Sequence, residues 1–231
     1  MPNYFGILYN VKKYTMNKGY LVFLEGVDGC GKGTQLKMLE KCLKSDCIPY
    51  LLTKEPGPKT CLGEPIRQIL QYNKGKMSST AELLLFFADR AQHYEEIIAP
   101  NLKKGVTVIS DRNWPSSIAY QGGGRGLKEK EIYQLVKWTT GGINPDLVFL
   151  LDLPLHKKQH LLSERLGKRG ENPTRFEKEK LAFFLKVRQA YLKMAKRDPK
   201  HWVIVNADRT PEEINEEIYS QLKKRLKMSL R

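Results

Sequence analysis

Residues 26–34 read GVDGCGKGT, and the fold is read outward from this stretch. It fits G-x-x-x-x-G-K from Gly26 to Lys32. Ahead of it, YLVFLEG (20–26) is a continuous apolar run suited to a strand buried on both faces. Behind it, TQLKMLEKCLK (34–44) places Leu36, Leu39 and Leu43 at helical spacing. Strand, glycine-rich turn and helix together are the setting that makes such a match a phosphate-binding loop. Gly26, Gly29 and Gly31 let the backbone turn so that consecutive N–H groups face one point. The helix start adds its positive end, and Lys32 can reach the β- and γ-phosphates. Gly33 stands where a Ser or Thr usually offers its hydroxyl to Mg²⁺. The metal is therefore expected to be held by nucleotide phosphates and water, with Asp111 and Asp28 acting through that water. Thr34 is better placed for the α-phosphate.

The same alternation continues along the chain. IPYLLTKEPG (48–57), VTVISDR (106–112), DLVFLLDLP (146–154) and HWVIVNADRTPEEI (201–214) read as further strands, the last running into a helix that opens at Pro211. Residues 79–105, STAELLLFFADRAQHYEEIIAPNLKKG, read as one long helix. Ser79 or Thr80 is expected to cap it, Glu82 to join the cap, and Pro100 to lie near its end. Strands alternating with helices predict an α/β fold with a parallel sheet. Ligands then bind at the carboxyl ends of the strands.

The 231 residues, 41% hydrophobic, suit one domain. Residues 1–18 read as an N-terminal extension expected to carry no fixed structure, and 19–231 as a single domain with a lid at about 163–176. The first fifteen residues do not have the pattern of a signal peptide, and no apolar run approaches the roughly 18 residues of a membrane span. Cys30, Cys42, Cys47 and Cys61 form no C-x-x-C, so free thiols in a reducing cytoplasm are expected. The formal charge is +15. Residues 156–200 hold fourteen Lys/Arg against five Asp/Glu, which suits either a solvated basic face or a surface for phosphate groups.

Several clusters carry chemistry. Asp28, inside an anion-binding loop, works against phosphate unless it faces a sugar hydroxyl or a hydrated cation; the plainer reading is a turn aspartate. In SDRNWPSSIAYQGGGRG (110–126), Asp111 stands at a strand end, where a carboxylate can hold hydrated Mg²⁺. Arg112 beside it can grip a phosphate through its fork. Ser117, Tyr120 and Gln121 follow on the next helical turns, within reach of a base edge. In FFADR (86–90), Phe86 and Arg90 share a helix face, as a stacking ring with a carbonyl-binding arginine or, for Phe86, as core. In ERLGKRGENPTRFE (164–177), Arg165, Arg169 and Arg175 surround a Gly/Pro turn, as a closing lid or a basic hinge.

Taken together, FLEGVDGCGKGTQ, TKEPG, GEPIRQIL, FFADRAQH, SDRNWPSSIAYQGGGRG, NPDLVFLLDLP and RLGKRGENPTRFE resemble the bacterial-type thymidylate kinases, from about Gly19 to the last helix. The resemblance implies a P-loop NTPase three-layer fold with sheet order 2-3-1-4-5, transfer of the ATP γ-phosphoryl group to dTMP with Mg²⁺, and a homodimer. No membrane and no specific nucleic acid are expected as partners. By the same resemblance, Gly26, Val27, Asp28, Gly29, Cys30, Gly31, Lys32, Gly33 and Thr34 bind ATP. Asp28 also meets the 3′-hydroxyl side of dTMP. Phe86 stacks on thymine, Arg90 bonds its carbonyl, Ser117 and Gln121 sit at the base edge, and Tyr120 lies near the sugar C2′. Arg112 and Arg67 lie near the dTMP phosphate, Glu55 beside the acceptor, and Arg165, Arg169 and Arg175 in the lid over the γ-phosphate.

Three departures stand out: Lys54 and Pro58 in place of the usual Arg and Gly, Thr174 in place of an Asp that would steady Arg175, and a GKGTQ ending typical of adenylate kinases. An adenylate kinase or deoxynucleoside kinase stays open as an alternative, as does a basic nucleic-acid-binding protein with a relict phosphate loop. The first lacks its DGFPR-like stretch, the second its carboxylate base, and the third its aromatic platforms.

Overall fold

A computed structural model describes residues 18–57, 59–157 and 174–229. The extension up to residue 17 and the lid residues 163–173, with Arg165 and Arg169, lie outside the described residues, as does Pro58.

The central strand is β1 (Leu21–Glu25), with all five residues buried. It pairs in parallel with β3 (Thr107–Asp111) on one side and β4 (Leu147–Asp152) on the other. β2 (Tyr50–Lys54) lies outside β3 and β5 (Trp202–Asn206) outside β4, so the order is β2-β3-β1-β4-β5, as expected. Apolar side chains along β1, β3 and β4 leave no face for water, which is why these strands read as unbroken apolar runs. The sheet reverses direction of growth at β1, the switch point where such sheets open a crevice. The register aligns the polar strand ends there: Leu24 lies beside Asp111, Asp111 beside Lys54, and Asp152 beside Asn206.

Helices cover both faces: α1 (Lys32–Ser45), α2 (Gly63–Tyr72), α3 (Ser79–His93), α4 (Ala99–Lys103), α5 (Trp114–Ser117), α6 (Glu129–Thr139), α7 (Leu181–Arg197) and α8 (Pro211–Ser229). Pro211 opens α8 as the sequence predicts.

The long helix differs from expectation in three ways. Its cap is Ser78, whose hydroxyl accepts from the Ala81 N–H at 3.1 Å, not Ser79 or Thr80. Glu82 takes no part in the cap; it is buried and engaged elsewhere. The helix also widens into a π turn over Tyr94–Ile98. Pro100, at the start of α4, offers no N–H to the preceding turn, and the change of register absorbs that loss. A second π segment, Ile118–Gly124, follows α5 and packs against α7.

Candidate active site

The phosphate loop bends through three left-handed glycines, Gly26 (φ 141°), Gly29 (φ 86°) and Gly31 (φ 96°). Gly31 caps α1 without any side chain, so the first N–H groups of that helix face outward. Lys32 lies back over the loop, its Nζ donating at 3.2 Å to the carbonyls of Gly26 and Val27. Cys30 is buried beside it, 3.7 Å from Nζ. Gly33 differs from the other three: its φ is not left-handed, and a Cβ there would meet nothing within 4 Å. The backbone does not demand glycine at this position. Thr34, next along α1, is exposed.

Arg112 sits just past β3 in a left-handed conformation, φ 68°, rare for a residue with a side chain. This turn carries its guanidinium into a cluster above the loop. It donates to Asp28 Oδ1 at 2.8 Å, Ser116 Oγ at 3.0 Å, the Tyr120 hydroxyl at 3.1 Å and the Tyr191 hydroxyl at 3.2 Å. The Tyr120 hydroxyl donates to Asp28 Oδ2 at 2.9 Å. Burial works against the Asp28 charge, but Arg112 and then Lys32 outweigh it and hold the carboxyl down at about 2. Both oxygens of Asp28 are thus engaged by side chains.

Beneath this cluster lies Glu25, wholly buried at the end of β1. It accepts from the Asn113 N–H, Ser116 Oγ and the Tyr191 hydroxyl, at 2.7–2.8 Å. Burial pushes its carboxyl up, while Arg112 and these donors pull it down. The Asn113 side chain donates to Glu55 Oε1 at 2.8 Å, so Asn113 joins two buried carboxylates. Glu25, Asn113, Ser116 and Tyr191 escape the sequence reading. An acidic residue closing a buried strand marks Glu25; nothing local marks Tyr191, on α7.

The candidate acceptor side is built on α3. Glu82, Phe86 and Arg90 recur every four residues along one stripe. Arg90 is buried, its Nε donating to Glu55 Oε2 at 2.8 Å and its NH1 to Ser117 Oγ at 3.2 Å. Glu55, just past β2, is also held by His93 Nδ1 at 3.1 Å. At the other end of the stripe, Gln121 Nε2 donates to Glu82 Oε1 at 2.7 Å. Phe86, between them, is half-buried, with the Phe176 ring 5.9 Å away; Phe176 also lies 6.0 Å from Tyr120. Arg67 is half-buried on α2 and, after burial itself, depresses the Lys54 ammonium at the end of β2.

Arg175 is held at the Glu82 end of the α3 stripe. Its NH1 is 2.6 Å from Glu82 Oε2, and its Nε donates to the Leu70 carbonyl at 3.1 Å. Thr174 does not loosen it: the Thr174 N–H donates to Glu177 Oε2 at 2.8 Å, closing a small capping turn around Arg175.

For Mg²⁺, one buried oxygen fits. Asp111 Oδ1 has no hydrogen-bond partner. Among the described residues no group of three or more His, Cys, Asp or Glu is gathered to ligate a metal. A cation that keeps most of its waters and leans on phosphate oxygens suits this donor set.

The family model described as thymidylate kinase matches residues 24–218. A thymidylate kinase from Halothermothrix orenii is 42% identical over 207 residues, spanning 89% of this chain and 97% of that protein. One from Neisseria gonorrhoeae is 39% identical over 201 residues, 87% of this chain and 95% of that protein. The crystal structure of thymidylate kinase from Ehrlichia chaffeensis matches with a TM-score of 0.70 at 27% identity, covering 89% of this chain and 99% of that one. The match runs from the end of β1 into α8 and takes in every cluster described above, so the chain belongs to the thymidylate kinase family.

Proposed function

We propose that the chain's own residues carry the reaction of its family as follows. The reaction transfers the γ-phosphoryl group of ATP to dTMP, giving dTDP and ADP. The loop amides from Gly26 to Thr34 and the Lys32 ammonium hold the donor phosphates. Arg112, with Arg67 on the outer side, holds the acceptor phosphate in line. The supporting observation is that Arg112 donates to Asp28 at 2.8 Å, inside the loop whose Lys32 ammonium lies over its carbonyls, and that both cations lower the Asp28 carboxyl. Two cations so placed bring two phosphate groups together that would otherwise repel, and this positioning is most of what phosphoryl transfer asks of a protein. Asp28 keeps Arg112 aimed and meets the sugar's 3′ side. Tyr120, whose hydroxyl burial keeps protonated, crowds the sugar C2′. Phe86 stacks on thymine, with Arg90, Ser117 and Gln121 around its edge. Glu55 anchors Arg90.

Bound Mg²⁺ supplies charge neutralisation on the transferring phosphates. Asp111, with Asp28, would hold it through water. Arg165 and Arg169 are the lid arginines that meet charge on the γ-phosphate, while Arg175 anchors the end of the lid on Glu82. The chain works as a homodimer in the cytoplasm. In support of a second copy, α2 turns Ile69 and Tyr72 to solvent, and the adjoining α3 turns Leu84. In support of a reducing compartment, all four cysteines are free.

A coupled ADP-release assay over dTMP, dUMP, dCMP, AMP and thymidine tests the reading. dTMP should turn over fastest. AMP ahead of dTMP would point to an adenylate kinase, and thymidine ahead of dTMP to a nucleoside kinase.

A further inference from the structure

Two cross-helix hydrogen bonds bracket Phe86. At one end Arg90 reaches Ser117; at the other Glu82 holds Gln121. The second bond has a polarity. Glu82 is 1% exposed and is flanked by two guanidinium groups, Arg175 at 2.6 Å and Arg125 at 3.3 Å. A carboxylate in that setting accepts hydrogen bonds and offers none. The Gln121 amide must therefore turn its NH₂ to Glu82, and its carbonyl oxygen becomes the end that remains for a ligand. Arg125 is fixed in turn by Glu179 at 2.5 Å and by stacking against Phe183, 4.7 Å from its ring centre. Neither partner of the amide is free to reverse it.

We propose that Glu82 is a specificity-determining positioning residue: by holding Gln121 Nε2 it presents Gln121 Oε1 to the base, so the site takes a pyrimidine with an N3–H donor and rejects cytosine. This rests on the acceptor reading above. Thymine and uracil carry a hydrogen at N3; cytosine carries a lone pair there. Against a fixed carbonyl oxygen, cytosine sets acceptor against acceptor in a buried site, and its 4-amino group meets the Arg90 donors at the same time. A buried polar group left unpaired costs far more than a lost hydrophobic contact.

The test measures kcat/KM for dTMP, dCMP and dUMP in wild-type enzyme, Glu82→Gln, and the exchange Glu82→Gln with Gln121→Glu. Glutamine at 82 offers both a donor and an acceptor, so the Gln121 amide can turn over. The dTMP:dCMP ratio should then fall by about tenfold or more, mainly through KM for the acceptor, with KM for ATP unchanged. The dTMP:dUMP ratio, which depends on the 5-methyl group and not on N3, should stay at its wild-type value. The exchange restores the cross-helix bond with an acceptor oxygen facing the base and should recover the dTMP:dCMP ratio. Arg175→Gln, which breaks another arm of the same cluster, should lower activity on all three substrates alike. Should Glu82→Gln fail to fold, Glu82→Asp, which keeps the charge but falls short of Gln121, carries the same expectation. A wild-type ratio in the single variant, or a uniform loss on all three substrates, overturns the proposal and leaves Glu82 a structural anchor. A wild-type enzyme with no preference for dTMP over dCMP overturns the acceptor reading as well.

Discussion

Gly31 and Gly33 are both glycines at the start of α1, yet only one is held by the backbone. Gly31, at φ 96°, would force any L-residue into the left-handed region, so Gly31→Ala should cost about 1–2 kcal/mol and disturb the loop amides proposed to bind the donor phosphates. Gly33 has ordinary φ and open space around its Cβ position. Gly33→Thr should therefore keep near wild-type kcat and melting temperature, and a large loss in either would show that the small residue is needed for the bound nucleotide. Asp89 carries a pH prediction. Its carboxylate accepts twice from the Gly57 N–H, at 2.9 and 3.0 Å, and so pins the loop that carries Glu55. Burial first, and then the Glu55 carboxylate, raise it from 3.8 to about 6. Between those values the folded chain holds a proton that the unfolded chain releases. The resulting stability is fully present below about pH 4 and is lost as pH rises through about 6. Asp89→Asn abolishes this dependence. Denaturant unfolding at several pH values should show wild-type stability falling relative to the variant by on the order of 3 kcal/mol from pH 4 to 7. A difference constant with pH would refute the raised carboxyl.

At the scale of elements, the run of glycines after Gln121 is a packing device. A Cβ on Gly124 would lie 2.4 Å from the Phe183 ring, and one on Gly123 would lie 2.8 Å from Ala190 Cβ. The π segment thus approaches α7 as closely as bare backbone allows. The contact matters for chemistry because α7 delivers Tyr191, whose hydroxyl touches Glu25, Ser116 and Arg112 at once. Gly124→Ala should destabilise the protein by about 1–3 kcal/mol through overpacking. It should also lower kcat/KM for dTMP, since displacing α7 withdraws Tyr191 from Arg112. A variant that loses stability but keeps kcat/KM would separate the packing from the site. The resemblance identifies these glycines as part of a family motif; only the packing says what they do.

Over the whole molecule, part of the late positive charge is paired among the described residues. Arg188 grips Asp152 at 2.6 and 2.7 Å, and Lys193 and Arg197 share Glu129. Such exposed pairs hold little stability, but they occupy cations that a nucleic-acid surface would leave available. Part of the exposed apolar surface lies where the adjoining α2 and α3 present Ile69, Tyr72 and Leu84. With a second copy covering that face, light scattering should give the mass of two chains. Leu84→Glu, which would bury a charge without a partner, should reduce it to one. A wild-type mass of one chain would remove the dimer.

What the sequence determines here is local. The buried strands, the glycine-bent loop, the polar strand ends and the start of α8 at Pro211 each follow from neighbours in the chain, because burial periodicity and backbone sterics act over a few residues. The sheet order follows from resemblance and is found as such. The same local logic puts Glu82 in a helix cap. Tertiary structure decides otherwise: Glu82 pairs with Arg175, Glu25 finds Tyr191 from 166 residues away, and Asn113 bridges Glu25 and Glu55. A buried charge takes whichever opposite charge or donor the packed elements bring within reach, since leaving it unpaired costs several kcal/mol. That choice is made by the meeting of helices and strands distant in the chain, and no periodicity in the sequence encodes it.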